Sequence, residues 1–182
     1  REHTTAMTCV NRFQLKDLFS CAAVNLDKLT ENFNLGFYGE YLAKWPDFFS
    51  KVQHPDGKIM GYVMGKAEGP GEHWHGHVTA ITVAPEFRRV GLAKSMMEWL
   101  EMVSEEVYNG YFVDLFVRVS NKVATGMYEG MGYKVYREVI EYYSGMDGNE
   151  NAYDMRKSLP RDVTGKASIP TGKKVLPHEV DP

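Results

Sequence analysis

Apolar and polar positions change period several times along the chain, and each change marks an element. Residues 8–13 alternate like a strand, and Leu15, Leu18, Phe19, Ala22 and Ala23 then recur at helical spacing with Asp17 in the first turn. After a loop over 29–36, residues 37–46 read as a second helix, stopped near Pro46 because proline disfavours helical geometry in the residue before it. Residues 48–52 and 59–66 read as paired strands joined by His54-Pro55-Asp56-Gly57, a run suited to a tight turn. A strand over 77–83, a helix over 92–107 with Leu92, Met96, Trp99, Leu100 and Val103 on one face, and a strand over 111–119 make a βαβ unit. Residues 121–131 continue as a helix ended by Gly132, and 133–143 supply one or two further strands. From Ser144 onward Gly, Asn, Pro and Lys dominate, with only Tyr153, Met155 and Leu159 as apolar anchors. The pattern therefore predicts one domain over 7–143 and a tail over 144–182, docked in part or loose.

The join between the strand at 77–83 and the helix at 92–107 carries the first chemical signal: Val83-Ala84-Pro85-Glu86-Phe87-Arg88-Arg89-Val90-Gly91-Leu92-Ala93. A helix N-terminus leaves its first N–H groups without intrahelical partners and carries partial positive charge, so it attracts an anion. Gly91 and Ala93 keep side-chain bulk away from such a ligand, while Arg88 and Arg89 add cationic donors. The spacing Arg-x-x-Gly-x-Ala resembles the pyrophosphate-binding turn of the Gcn5-related N-acetyltransferases. It lacks the Gly-Lys-Ser/Thr of a Walker loop and the first two glycines of a dinucleotide fingerprint. The alternative is a surface turn with two solvated arginines.

Composition narrows the classes. The chain has 182 residues, 43% hydrophobic and 13% aromatic, enough for one good-sized core. A net charge of −3 and no basic stripe argue against a nucleic-acid surface. Cys9 and Cys21 have neither disulfide-scaffold nor zinc spacing, which points to a reducing compartment, and no apolar run is long enough to span a bilayer. The cytoplasm is the expected location, with no membrane partner.

Further segments extend the resemblance. The element order matches the acetyltransferase fold, an α+β architecture with a mixed, mostly antiparallel sheet, flanking helices and splayed central strands. Phe112 to Asn121, followed by Met127-Tyr128-Glu129-Gly130-Met131-Gly132-Tyr133, resembles the strand, asparagine and Tyr-x-x-x-Gly-Tyr segment of N-terminal acetyltransferases. Tyr41-Leu42-Ala43-Lys44-Trp45-Pro46, the run 60–69, Trp74-His75-Gly76-His77-Val78-Thr79-Ala80 and Glu141-Tyr142-Tyr143 are similar to the NatB-type catalytic subunits among them. That resemblance implies acetyl-CoA as cosubstrate and nascent chains beginning Met-Asp, Met-Glu, Met-Asn or Met-Gln as acceptors. It also implies a large helical-repeat auxiliary subunit and ribosome association, with Phe19, Tyr38, Tyr41 and Trp45 as aromatics that a partner could grip or the core could bury. Asn34-Leu35-Gly36 departs from the Gly-x-Pro of the family's substrate loop.

Acetyl transfer needs a neutral amine, a held thioester, a stabilised oxyanion and a proton for the departing thiolate. An α-amine with a pKa of about 7.7–8 is partly neutral at cell pH, so positioning outweighs base strength. By resemblance, the main chain of Ile81, Thr82 and Val83 pairs with the pantetheine arm and holds the thioester, and Arg88, Arg89, Val90, Gly91, Leu92 and Ala93 hold the diphosphate. Asn121 and Tyr128 face the cofactor, and Tyr128 either donates a proton to sulfur or is only packed. His77 either contacts the substrate's second side chain, with Thr79 beside it, or relays the amine proton, or is structural. One of Tyr142 and Tyr143 clamps peptide backbone while the other packs, because successive strand residues face opposite sides unless the strand bends. Phe33 lines the methionine pocket, and Glu31 contacts the amino terminus, serves as a distant base, or is a solvated loop carboxylate.

His75 and His77 share a strand face, but no third donor follows at local spacing, so no metal is expected. Met96, Met97, Met102 and Met127 are expected to fill the core. A lysine or small-amine acetyltransferase would profit from a strong base, and the sequence shows no dedicated carboxylate on a core strand; a coenzyme A-binding module without catalysis is the other alternative.

Overall fold

The computed structural model describes residues 10–21, 24, 33–144 and 148–180. Its strands are β1 (Val10–Arg12), β2 (Ser50–Gln53), β3 (Ile59–Glu68), β4 (His75–Val83), β5 (Phe112–Arg118), β6 (Lys134–Tyr143), β7 (Glu150–Ser158) and β8 (Lys174–Val175). Among the described residues three α-helices accompany them: α1 (Leu35–Lys44), α2 (Leu92–Glu106) and α3 (Lys122–Gly130). The strand order is β1-β2-β3-β4-β5-β7-β6-β8. Two compact units share this chain: the described residues up to Lys66 with Thr79–Leu100, and Ala67–Val78 with the described residues from Glu101 onward.

In the first unit, β1, β2 and β3 are antiparallel, with Arg12 opposite Ser50 and Ser50 opposite Val63. Asn34 caps α1 by accepting the Phe37 N–H at 2.9 Å, and Pro46 opens a short 3-10 turn immediately after it. That turn takes Phe48 out of the predicted strand, which starts at Ser50. Phe13 stacks on Phe49 with ring centroids 4.1 Å apart, and Tyr62 meets Phe13 edge-on at 5.7 Å. The predicted first helix is a 3-10 segment, Leu15–Ser20; Ala22, Ala23 and residues 8 and 9 lie outside the described residues. Asp17 from this segment holds Lys51 at 2.7 Å, a buried pair whose charges satisfy each other. β3 passes close to the far half of β4: a Cβ on Gly61 would sit 2.6 Å from the Thr82 carbonyl oxygen, so only glycine fits.

In the second unit, the first residues of β4 pair parallel with β5: Gly76 with Val113, His77 with Asp114 and Val78 with Leu115. β5 then pairs antiparallel with β7, from Phe112 opposite Ser158 to Arg118 opposite Ala152. β7 lies between β5 and β6, so residues 150–158, expected in a tail, are an interior strand, and the expected boundary after residue 143 falls inside the fold. Its polar letters conceal it. Ala152, Asp154 and Arg156 share one buried face, where Asp154 accepts Arg137 at 2.8 Å and Arg156 at 3.1 Å, while Met155 is buried on the other face. Met155 and Leu159 are the anchors the sequence indicated. The chain after β7 is docked as well: β8 pairs parallel with β6, and Thr171 N–H donates to the Tyr136 carbonyl at 2.8 Å. β6 is one strand with a bend, marked by a register break between Val139 and Tyr143 and a left-handed φ of 52° at Glu141. Among the described residues no helix is long and apolar enough to cross a membrane.

Candidate active site

The predicted anion turn is built in the first unit. β4 ends at Val83; buried Ala84 donates its N–H to the Met60 carbonyl at 2.8 Å, and Pro85–Phe87 form a 3-10 turn. Arg89 and Gly91 then take left-handed φ values of 68° and 89°, and α2 starts at Leu92. Leu92 is buried and fixes the helix start, Ala93 is half-buried, and Arg88, Arg89, Val90 and Gly91 are exposed. A left-handed loop delivered onto a helix N-terminus suits an anionic ligand. Two details differ from expectation. Arg88 donates Nε–H to the Val83 carbonyl at 3.0 Å, so that nitrogen braces the turn. A Cβ on Gly91 would meet no protein atom within 4 Å, so its left-handed backbone, rather than crowding by the protein, calls for glycine.

Other predicted residues of this unit have identifiable partners. Thr82 is buried and donates to the Val24 carbonyl at 3.3 Å, while Ile81 and Val83 are half-buried. Thr79 donates to Tyr41 Oη at 3.0 Å. Phe33 stacks on Phe37 at 4.3 Å and packs against the core; Glu31 lies outside the described residues. Tyr38 and Tyr41 are core residues and Trp45 packs against them, whereas Phe19 is 83% exposed.

The second unit gathers a charged cluster that the sequence only half revealed. His77 Nδ1 lies 2.8 Å from Asp114 Oδ1, and His75 Nε2 lies 3.4 Å from the same oxygen. Glu68 Oε1 is 4.0 Å from both ring nitrogens. His75 Nδ1 sits 2.6 Å from the His73 carbonyl, and its ring stacks on Phe112 at 4.5 Å. Burial alone would raise the Asp114 carboxyl, but the charges of His77 and His75 and their hydrogen bonds outweigh it and hold the group far below the usual carboxylate range. Burial opposes a charge on His75, yet Asp114, the His73 carbonyl and Glu68 together raise its pKa. Glu68, His75 and His77 offer donor atoms within 4.8 Å of one another, so strand pairing supplies a third donor that local spacing does not. The hydrogen bond to Asp114 already engages His77 Nδ1. Asp114 also corrects the expectation of no carboxylate on a core strand. Its signal was a lone charge within Phe112-Val113-Asp114-Leu115-Phe116.

Phe116 is the second residue that sequence reasoning missed. It stacks on Tyr142 at 4.6 Å, meets the His77 ring at 5.6 Å, and accepts the Tyr143 hydroxyl through its carbonyl at 3.0 Å. The bend at Glu141 brings both tyrosines to Phe116 although they are adjacent in sequence. Asn121 caps α3, its Oδ1 accepting the Ala124 N–H at 3.2 Å, which gives that oxygen a structural task. Tyr128, on the same helix, is buried edge-on to Tyr133, and burial pushes its phenol well above the ordinary value. It therefore stays protonated at neutral pH and is suited to donating.

Known proteins share this construction. Residues 16–133 match the acetyltransferase (GNAT) family. The chain is 53% identical to the N-terminal acetyltransferase B complex catalytic subunit NAA20 of Arabidopsis thaliana, covering 96% of this chain and 99% of the relative. A crystal structure of Chaetomium thermophilum Naa20 with a bisubstrate analogue superposes with a TM-score of 0.87 at 42% identity, over 93% of this chain and 97% of that one. A NatB acetyltransferase complex bound to a bisubstrate inhibitor gives 0.84 at 42% identity, over 95% and 99%. By fold, by the turn that opens α2 and by this near full-length identity, the chain belongs to the GNAT acetyltransferases and, within them, to the catalytic subunits of N-terminal acetyltransferase B.

Proposed function

We propose that this chain moves the acetyl group of acetyl-CoA to the α-amine of nascent proteins beginning Met-Asp, Met-Glu, Met-Asn or Met-Gln, as the catalytic subunit of a NatB-type complex. The observation that carries the reading is the left-handed turn at Arg89 and Gly91 feeding the N-terminus of α2, which supplies main-chain donors for a diphosphate. Residues 88–93 hold that diphosphate, and the main chain of Ile81, Thr82 and Val83 aligns the thioester. The amine nitrogen forms the new N–C bond as the C–S bond breaks; the amine gives one proton to water, and Tyr128 supplies one, directly or through water, to the thiolate and takes one back from water, so the protons balance. Asn121 orders the start of the helix that carries Tyr128.

On the acceptor side, Phe33 receives the methionine, and Glu31 contacts the amino terminus or serves as a distant base. His77 and Thr79 meet the second side chain, and Tyr142 clamps peptide backbone while Tyr143 packs. A second residue with hydrogen-bonding atoms suits a site lined by histidine and hydroxyl groups, since an unpaired carboxylate is costly to bury. Phe19 at 83% exposed and Leu15 at 55% offer the auxiliary helical-repeat subunit an apolar grip. The complex works in the cytoplasm at the ribosome.

Incubation with acetyl-CoA and matched peptides beginning Met-Asp or Met-Leu, or carrying one internal lysine, tests the assignment by mass spectrometry. Met-Asp is acetylated fastest, at its α-amine. Equal rates on Met-Asp and Met-Leu sink the NatB reading, lysine preference moves the enzyme to another acceptor class, and coenzyme binding without turnover supports the non-catalytic alternative.

A further inference from the structure

Tyr133 reaches Tyr128 twice. Its N–H donates to the Tyr128 carbonyl at 3.0 Å, and its ring meets the Tyr128 ring edge-on with centroids 5.9 Å apart. The far end of the same ring is tied down as well. Its hydroxyl donates to Glu101 Oε1 at 3.0 Å, and Glu101 Oε2 accepts Lys157 Nζ at 2.6 Å, so one carboxylate joins the chain just after α3 to β7. Burial, then the charge of Glu101 and its hydrogen bond, hold the Tyr133 phenol well above its ordinary value, so it remains the donor in this contact at neutral pH. Tyr133 is only 2% exposed. A phenylalanine would fill that space without burying a hydroxyl beside a largely desolvated carboxylate, so packing by itself does not account for the polar pair.

We propose that Tyr133 and Glu101 are positioning residues for acetyl transfer: the hydrogen bond between them fixes the ring on which Tyr128 packs, and so aims the Tyr128 hydroxyl at the departing sulfur. The proposal rests on the reading that Tyr128 supplies the thiolate's proton. A ring held at both ends, by main chain at one and by Glu101 at the other, cannot slide or tilt without breaking a bond. In a close-packed interior its edge-to-face neighbour is then held too. Proton donation needs this constraint more than coenzyme binding does, because transfer to sulfur depends steeply on where the hydroxyl points. Lys157 completes the device by pairing with the second oxygen of Glu101, which leaves the carboxylate ionised and free to accept from Tyr133.

The test is a double-mutant cycle on the full chain with its auxiliary subunit, reading kcat and KM for acetyl-CoA and for a peptide beginning Met-Asp. Tyr133→Phe keeps the ring and removes the tether. It lowers kcat by about tenfold while both KM values stay within about twofold of the wild type. In a Tyr128→Phe background the same change lowers kcat by less than about threefold, because the residue it aims is already gone. Glu101→Leu reproduces the loss, whereas Glu101→Gln, which keeps an accepting oxygen, holds kcat within about threefold of the wild type. Should Tyr133→Phe fail to fold, the two Glu101 variants and Glu101→Leu in the Tyr128→Phe background carry the same test. Unchanged kcat in Tyr133→Phe, a rise in KM without a fall in kcat, a full tenfold loss repeated in the Tyr128→Phe background, or equal losses in Glu101→Gln and Glu101→Leu each overturns the proposal. A Tyr128→Phe variant with normal kcat overturns the reading of Tyr128 as donor together with it, whereas an impaired Tyr128→Phe beside additive losses overturns this proposal alone.

Discussion

Tyr143 donates its hydroxyl hydrogen to the main-chain carbonyl of Phe116 across 3.0 Å, while the guanidinium of Arg118 lies 4.2 Å from its ring centroid. Adjacent Tyr142 is 38% exposed and stacks on the Phe116 ring, so the bend in β6 assigns the two tyrosines different tasks. Tyr143→Phe costs about 1 kcal/mol of stability, the ordinary worth of a hydrogen bond, read by chemical denaturation. Tyr142→Ala instead raises KM for peptide by about tenfold with little change in melting temperature, as loss of a substrate contact does. The reverse pattern would exchange their roles.

Gly91→Ala tests the anion turn. No protein atom crowds the new methyl group, but a left-handed φ of 89° disfavours any residue with a Cβ. The variant loses about 1 kcal/mol of stability from the backbone and at least about tenfold in acetyl-CoA affinity, measured by thermal unfolding and by calorimetry. Unchanged coenzyme binding would place the diphosphate elsewhere.

Tyr128→Phe keeps the buried ring and removes the proton. Burial keeps this phenol protonated well above neutral pH, so the wild type holds its donor across the working range. The variant binds acetyl-CoA as the wild type does, but its kcat falls by about 100-fold in steady-state assays. A fall of less than about threefold would leave Tyr128 a packing residue.

The imidazolium of His75 links stability to pH. The folded state holds its proton more tightly than the unfolded chain, whose histidine titrates near about 6.5. This contribution is complete below that value and is lost as pH rises through the higher folded value. His75→Gln therefore costs more stability at about pH 6 than at about pH 9 in denaturation series run at both pH values. An equal cost at both ends would mean a neutral His75.

β7 and the Asp114 cluster show where sequence reading stops. Residues 150–158 carry Asp154, Arg156 and Lys157, and their place inside the sheet shows only once Arg137 and Arg156 are seen to pair with Asp154. Asp114 and His77 are separated by 37 positions, and only the parallel pairing of β4 with β5 sets them side by side. Phe116 read as one more apolar strand residue. Its use as a platform for His77, Tyr142 and Tyr143 depends on a bend that no local period encodes. Glu31 lies outside the described residues.

What the sequence determined by itself was whatever is encoded locally: the helix start at Asn121, the turn from Pro85 to Gly91, the hairpin at His54 to Gly57, and the motifs that mark the family. Those features depend on residues within a few positions, where capping, φ preference and hydrophobic period act directly. Tertiary structure alone decided that a polar-looking segment is an interior strand, that one carboxylate serves two histidines, and that both adjacent tyrosines meet Phe116. Each of these depends on desolvated charges and close contacts between distant segments, whose energy exists only after the strands have paired.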